Sequence, residues 1–347
     1  MINSTTTIIS KCAVPLKGES GKKVLLTIKH GLIESLKTLN NETSLEANFD
    51  YGELFLAPMF VDYHIHLKWP MEEGKLVRDL LSSGITKCYE GGSGRVLEKP
   101  FIESDGLRVE AMRAGHGIFR KGGYGGFIGK GVSSLIEAEE VMDFLKQKGV
   151  EYLKVINSGI FDPESGGFTE GGFKRDELTA IISIAKKKGW QVFCHANGDS
   201  AIADAVIAGA DVIVHGFGVS RETMKIMRDG ETALIPTLHA LTALRNTNLS
   251  PAGMRNLNQL LAIHSEAVAA AHETGVRILP GSDSGPSFLP PGISFLRELE
   301  AIHNTGISYA ETIGLAAGGR LRKGEKASFL IIDGFRVSTV CIEGKWL

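Results

Sequence analysis

The sequence predicts an α/β protein, a (β/α)8 TIM barrel carrying a small β-sandwich domain built from the N- and C-terminal segments. Three observations lead there. From about residue 60 to 306, short β-rich runs alternate with amphipathic helical runs, the pattern that yields parallel strands joined by crossover helices. Eight such cycles fill about 250 residues, the usual size of a closed parallel barrel. Both ends of the chain are β-rich instead. The expected division is residues 1–56 with 320–347 for the β domain and 57–319 for the barrel.

Taken in order, Lys23–Ile28 and Ile33–Leu36 read as strands separated by turn-like polar residues. Barrel strands follow at Phe60–Tyr63, Ile85–Tyr89 and Leu107–Ala114, with helices near Lys75–Ser82 and Ser134–Gln147. The clearest unit is the strand Tyr152–Ile156 and the helix from Asp176. There Leu178, Ile181, Ile182 and Ala185 recur at helical spacing, Asp176 can cap the start, and Lys186–Lys188 with Gly189 mark the end. Strands at Gln191–Cys194, Val212–Val214, Thr232–Ile235 and Val276–Leu279 complete eight. Helices near Ser200–Ala208, Arg221–Met227 and Ala252–Thr274 separate them. Ser328–Ile332 and Thr339–Ile342 then return to the β domain. No Gly-x-Gly-x-x-Gly opens a helix after the first strand, which argues against a dinucleotide-binding sheet.

With 347 residues, 43% of them hydrophobic and 22% charged, the chain can bury one large core. A net charge of -2 offers no electrostatic reason to expect nucleic acid or an anionic membrane as partner. A small-molecule substrate is expected, and a homo-oligomer is compatible with it. Cys12, Cys88, Cys194 and Cys341 show no CxxC spacing, which suits a reduced, cytoplasmic setting. The run MINSTTTIISKCAVP lacks the charged start and long apolar core of a leader, and no stretch approaches a membrane span.

The informative polar residues stand at the C-terminal ends of predicted strands, which in a barrel converge on one mouth. Val61-Asp62-Tyr63-His64-Ile65-His66 puts His64 and His66 on one face of a strand, so both imidazoles can take one cation. An isolated strand histidine is more often a hydrogen-bonded core residue, and HxH alone says little. His195, His215 and Asp283, at the ends of three further strands, make a donor set that suits a borderline-soft divalent ion, zinc first. Lys154 lies within the otherwise apolar Tyr152–Ile156. A buried ammonium must find an anion, lose its proton or be converted, for instance by carboxylation with carbon dioxide.

The order HxH, Lys, His, His, Asp along a β/α chain resembles the amidohydrolase superfamily, nearest its imidazolonepropionase-related and Xaa-Pro-dipeptidase-like branch. The similar stretches are 57–67, Leu153–Gly159, His195–Gly198, Val214–Gly216 and Gly281–Gly285, with Gly319–Phe329 for the return to the β domain. Ser328 stands where an Asp is usual. The resemblance covers nearly the whole chain. It implies a centre of one or two ions, in the two-metal form with His64, His66 and Asp283 on a deeper metal, His195 and His215 on an outer one, and a carboxylated Lys154 bridging the binuclear centre. It also implies a glycine-rich GHG segment, here Gly115-His116-Gly117. This makes His116 and Tyr124 candidate substrate contacts, with a flexible surface loop as the plainer reading. Glu90, at the end of the second strand, and His239, after the seventh, are further candidates. His30, His264, His272 and His303 are expected at the surface.

The expected reaction is hydrolysis of an amide or ester by metal-bound hydroxide, with Asp283 as base and then acid and His215 polarising the carbonyl. A cyclic amide, an N-acyl amino acid or a dipeptide leads the substrates. Deamination of a nucleobase-like ring is the rival, but the Glu that such enzymes show three residues after the third His is Gly198 here. A non-catalytic scaffold is the other alternative. No Gly-x-Ser-x-Gly elbow supports a serine hydrolase.

Overall fold

Residues 5–12, 21–39, 46–67 and 72–347 are described by the computed structural model. Of the amino-terminal run read for a leader, residues 5–12 form a strand, and the remainder lies outside the described residues. No described helix is long and apolar enough to cross a membrane.

The strands Leu153–Ile156, Val192–Ala196, Val212–His215 and Ala233–Ile235 are buried at every residue, as expected for parallel strands covered on both faces. They pair in that order, all parallel, and Gly117–Arg120 and Gly129–Val132 extend the sheet at one edge. A second sheet pairs Phe60–Ile65, Ile85–Glu90 and Leu107–Met112 in parallel, with Phe101–Ser104 added antiparallel. Three seams connect the sheets: Glu151 N–H to the Arg113 carbonyl at 2.9 Å, and isolated parallel bridges Leu234–Ile278 and Ile65–Ser284.

This is a TIM-barrel-like α/β fold, but its hydrogen bonds do not run in one closed ladder. The expected strand Val276–Leu279 is reduced to its bridge at Ile278. Pro280 follows at once and has no N–H to extend a ladder. Helices cover the strands largely where periodicity put them. The helix Arg175–Lys187 buries Leu178, Ile181, Ile182 and Ala185, although its cap is Lys174 rather than Asp176. Glu177 closes that start by accepting the Lys174 N–H at 3.0 Å.

The two ends of the chain meet in one seven-stranded sheet, ordered Lys345–Trp346, Arg336–Ile342, Phe329–Asp333, Phe49–Pro58, Thr5–Cys12, Lys23–Lys29, Leu32–Thr38. The hydrogen bonding is therefore that of one sheet rather than a two-sheet sandwich. Alternation explains how both faces are covered. Phe329 and Ile331 pack with Ile8, Leu26 and Ile33, while Leu330 and Ile332 pack with Leu80, Phe295 and Leu299 of two helices.

Within the central strands the same alternation stacks a plug beneath a polar layer. Tyr152, Phe193, Val214 and Ile235 pack together as the plug, and the Tyr152 and Phe193 rings lie 4.5 Å apart. Two residues further along their strands come Lys154 and His195, on the same face as Tyr152 and Phe193.

Candidate metal centre

His64 and His66 approach a single acceptor, Asp283, whose Oδ1 lies 3.2 Å from each Nε2. Donor atoms of these three residues fall within 4.8 Å of one another, a spacing that can hold a metal ion. His66 is oriented by its other nitrogen, Nδ1, which meets the Gly92 carbonyl at 3.2 Å. Two glycines make the room. A Cβ on Gly91 would collide with His64 and lie 2.9 Å from His66 Cε1, and one on Gly281 would lie 2.8 Å from His64 Cβ.

The remaining candidates ring the same cavity of about 220 Å3, lined by His64, His66, Lys154, His195, His215 and Asp283 together with Tyr124 and Asn197. The His195 and His215 rings are 4.6 Å apart, and His215 lies 5.6 Å from His64. His195 Nε2 is held by the Gly159 carbonyl at 3.0 Å, leaving Nδ1 as its other ring nitrogen. His215 Nδ1 meets Thr237 Oγ1 at 2.8 Å, leaving Nε2. Such fixing of one imidazole nitrogen selects the tautomer that leaves the other a lone pair for a cation. His215, Thr237 and Asp283 all take left-handed backbone, with φ of 71°, 47° and 53°. Strain of this kind persists only where the surroundings impose it, and it gathers at functional sites.

The electrostatics favour neutral imidazoles and an ionised Asp283. Burial, reinforced by the nearby Lys154, pushes His64 down to about 3 and His195 to about 4; burial also carries His215 well below the usual histidine range. Burial works to raise Asp283, but the hydrogen bonds from His64 and His66 outweigh it and hold the carboxyl well below its ordinary value. Lys154 is buried, and its Nζ has no hydrogen-bond partner among the described residues. Burial lowers it to about 8, so a neutral amine is accessible near physiological pH. An unpartnered buried amine beside three imidazoles and a carboxylate is costly by itself. Coordination of the neutral amine to a cation, or its conversion to a carbamate held by cations, would remove that cost, so the donor set fits the expected metal.

The other candidates separate. Tyr124 lies 5.4 Å from the His195 ring and lines the cavity. His116, Glu90 and His239 are not among the lining residues. His116 Nδ1 meets the Ser93 carbonyl at 2.9 Å and its ring stacks on Phe144. The segment around it is not a free loop, because Gly117–Arg120 and Gly129–Val132 belong to the sheet. Glu90 is buried and accepts the Gly115 N–H at 3.2 Å. His239 is half-buried, and its backbone N–H is bound by Glu298 at 2.6 Å. His264, expected at the surface, is fully buried on the inner face of the helix Pro251–Thr274, where Nε2 meets the Pro236 carbonyl at 2.9 Å.

Residues that sequence reasoning left without a role hold the centre together. Asp62 is buried and accepts the N–H groups of His64 at 3.1 Å and Ser282 at 2.9 Å, and the Ser282 hydroxyl at 2.5 Å. Burial pushes its carboxyl up to about 7 against those bonds. Asn197 accepts the Phe217 N–H at 3.2 Å and donates to the Gly159 carbonyl at 3.3 Å, fixing the loop beside His195. The Asp two places before HxH was a legible signal for the first; the second leaves none.

Residues 55–347 match the model of the amidohydrolase family. An uncharacterized protein of Mycobacterium tuberculosis is 31% identical over 145 residues, which is 41% of this chain and 39% of that protein. The matched segment thus spans about two fifths of the curated relatives' length. A solved structure described as an amidohydrolase shares 19% identity with a TM-score of 0.75, covering 99% of each chain. A Xaa-Pro dipeptidase solved with methionine in its active site shares 18% identity with a TM-score of 0.76, over 99% of this chain and 100% of that one.

Proposed function

This chain belongs to the amidohydrolase family, and we propose that it is a metal-dependent hydrolase of an amide bond flanked by an apolar group. The observation that carries the reading is the convergence of His64, His66 and Asp283 on one point, with Lys154, His195 and His215 around the same cavity. We read His64, His66 and Asp283 as ligands of one divalent ion, zinc first. His195, His215 and a carboxylated Lys154 then complete a binuclear centre on the two seamed sheets, which serve as one barrel. The Lys154 amine, once neutral, would attack carbon dioxide and release a proton, leaving a carbamate whose oxygens would be donors to bound cations. Bound cations supply Lewis acidity and bring the pKa of a water down to about 7.

The chain's own groups do the rest. Asp283, ionised and facing the cavity, takes a proton from the attacking water and returns it to the leaving nitrogen as the tetrahedral species collapses. His215 and His195 would hold a cation, which would supply charge to polarise the substrate carbonyl, and the Tyr124 hydroxyl is a donor for that oxygen. Phe161, Phe217, Leu241, Leu244, Phe288 and Leu289 furnish an apolar wall for the group beside the scissile bond. A cyclic amide, an N-acyl amino acid or a dipeptide with an apolar side satisfies these demands. The dipeptidase relative supports the last. The division into a terminal β domain and a barrel at residues 56/57 and 319/320 belongs to the same proposal. So does a cytoplasmic site of action, a setting that suits Cys88, Cys194 and Cys341, which are buried and in no disulfide.

The test is hydrolysis of N-acyl amino acids, dipeptides, hydantoins and lactones by zinc-loaded protein, with aminopurines as the deaminase control. Amide cleavage that a chelator abolishes and zinc restores is expected. Ammonia release from an aminopurine as the sole activity would replace the proposal by deamination.

A further inference from the structure

Two buried polar side chains that the proposed reaction does not use, Glu298 and His264, come from different helices and act on the same short junction. The junction is Pro236-Thr237-Leu238-His239, where the strand Ala233–Ile235 passes into the helix Leu238–Ala243. Glu298, wholly buried in the helix Ile293–His303, accepts the N–H of Leu238 through Oε1 at 3.0 Å and that of His239 through Oε2 at 2.6 Å. His264 holds the Pro236 carbonyl from the other side at 2.9 Å.

Thr237 stands between these anchors at the helix N-cap. A threonine there ordinarily accepts an N–H of its own first turn. Here it makes no such bond, and its hydroxyl lies 2.8 Å from Nδ1 of His215. Its backbone is left-handed, with φ 47° and ψ 42°. A β-branched residue rarely takes that conformation, and the surroundings must impose it. The orphan donors of the helix start still need acceptors, and the two oxygens of the Glu298 carboxyl group take two of them.

We propose that Glu298 is a positioning residue for His215: it caps the helix Leu238–Ala243 in place of Thr237, which frees the Thr237 hydroxyl to hold His215 Nδ1 and leaves Nε2 for a cation. The inference rests on the reading of His215 as a cation ligand. It extends that reading to a residue that touches neither the imidazole nor the cavity lining. Glutamine at 298 offers only one acceptor to the two N–H groups and turns a donor toward the second. The junction then relaxes, and the Thr237 hydroxyl returns toward its own helix.

The test compares Glu298→Gln, Thr237→Val, Thr237→Ser and the double variant Glu298→Gln/Thr237→Val. Two readouts serve: nitrogen NMR of the His215 ring and the dissociation constant for zinc. Expected are an Nδ1-protonated ring in the unaltered chain, a mixture of tautomers in Glu298→Gln and Thr237→Val, and recovery of the ring signal in Thr237→Ser. Zinc binding weakens about tenfold in each of the first two, the scale of losing a residue that orients a ligand. The double variant is no weaker than the worse single one, because both act through one contact. A folded Glu298→Gln protein with native His215 resonances and zinc affinity overturns the proposal, as do losses that multiply in the double variant. Should Glu298→Gln not fold, Glu298→Asp shortens the side chain by one methylene and withdraws its oxygens from the Leu238 and His239 N–H groups, and an unchanged His215 ring there overturns the proposal as well. Failure of the unaltered chain to bind zinc sinks the ligand reading, while the ring signal still decides whether Glu298 sets His215.

Discussion

Asp62 binds Ser282 twice, accepting its N–H at 2.9 Å and its hydroxyl at 2.5 Å across 220 residues of chain. The contact joins the strand that carries both HxH histidines to the turn that carries Asp283. With the Asp283 N–H to His64 carbonyl bond at 2.8 Å, it is one of the ties that bring the proposed ligands from distant parts of the chain to one point. Ser282→Ala removes the hydroxyl and leaves Asp62 short of a donor in a fully buried place. A loss of roughly 1–3 kcal/mol is expected, the cost of an unsatisfied buried group. Chemical denaturation of the metal-free protein measures it, and zinc affinity should fall with it.

Removing a ligand itself should cost more than disturbing its support. His64→Ala and Asp283→Ala are expected to lose the ion and to lower kcat/KM by more than the roughly 10–100-fold typical of outer partners. Elemental analysis of the purified variants, beside a chelator titration of the unaltered chain, checks both. Full metal content in either variant would remove it from the ligand set.

Lys154 gives a pH signature. Only the neutral amine reacts with carbon dioxide, and burial brings Lys154 down to about 8. Its neutral fraction therefore grows as pH rises toward and past 8. Incorporation of label from carbon-13 bicarbonate should rise across that range, level off above it, and be absent from Lys154→Ala.

Glu298 adds a separate dependence, on stability. Burial pushes its carboxyl up to about 8, above the ordinary 4.5. The folded state therefore keeps a proton that the unfolded chain has released, and this group's share of stability declines as pH rises from about 4.5 to about 8. Glu298→Gln cannot titrate. Its deficit in melting temperature relative to the unaltered chain should be largest near pH 5 and narrow toward pH 8. A deficit that widens over that interval contradicts the assignment.

Phe288 lines the cavity and is 40% exposed, so it forms part of the mouth and can be truncated without opening the core. Phe288→Ala is expected to raise KM for an amide with an apolar flank by about tenfold, the scale of one lost apolar contact, with kcat nearly unchanged. Equal loss for apolar and polar substrates would move Phe288 out of the specificity wall.

Much of this was legible in the one-dimensional pattern because the controlling physics is local. Runs that are apolar but for one residue, such as Leu153–Ile156 and Val212–His215, announce strands buried on both faces. The period of two put His64 with His66 on one face of their strand. Polar residues at strand ends pointed to a shared mouth. The eighth strand failed for an equally local reason, a proline that breaks the ladder after Leu279.

Other features depended on residues far apart in the chain. His264 carries the spacing of a helix residue, and nothing nearby says which face meets Pro236; only the packing of Pro251–Thr274 buries it. Glu298 and Asp62 look like ordinary charged residues until the fold supplies backbone donors 59 to 220 positions away. Sequence by itself determined most of the barrel's strand and helix runs, the candidate donor set and the face that His64 and His66 share, since these follow from propensity and periodicity, but not the helices Leu238–Ala243 and Ile293–His303. The tertiary structure alone decided that the termini make one sheet, that Tyr124 meets the cavity while His116, Glu90 and His239 do not, and which side chains lock the ligands. Those outcomes hang on hydrogen-bond partners and packing distances that no local pattern encodes.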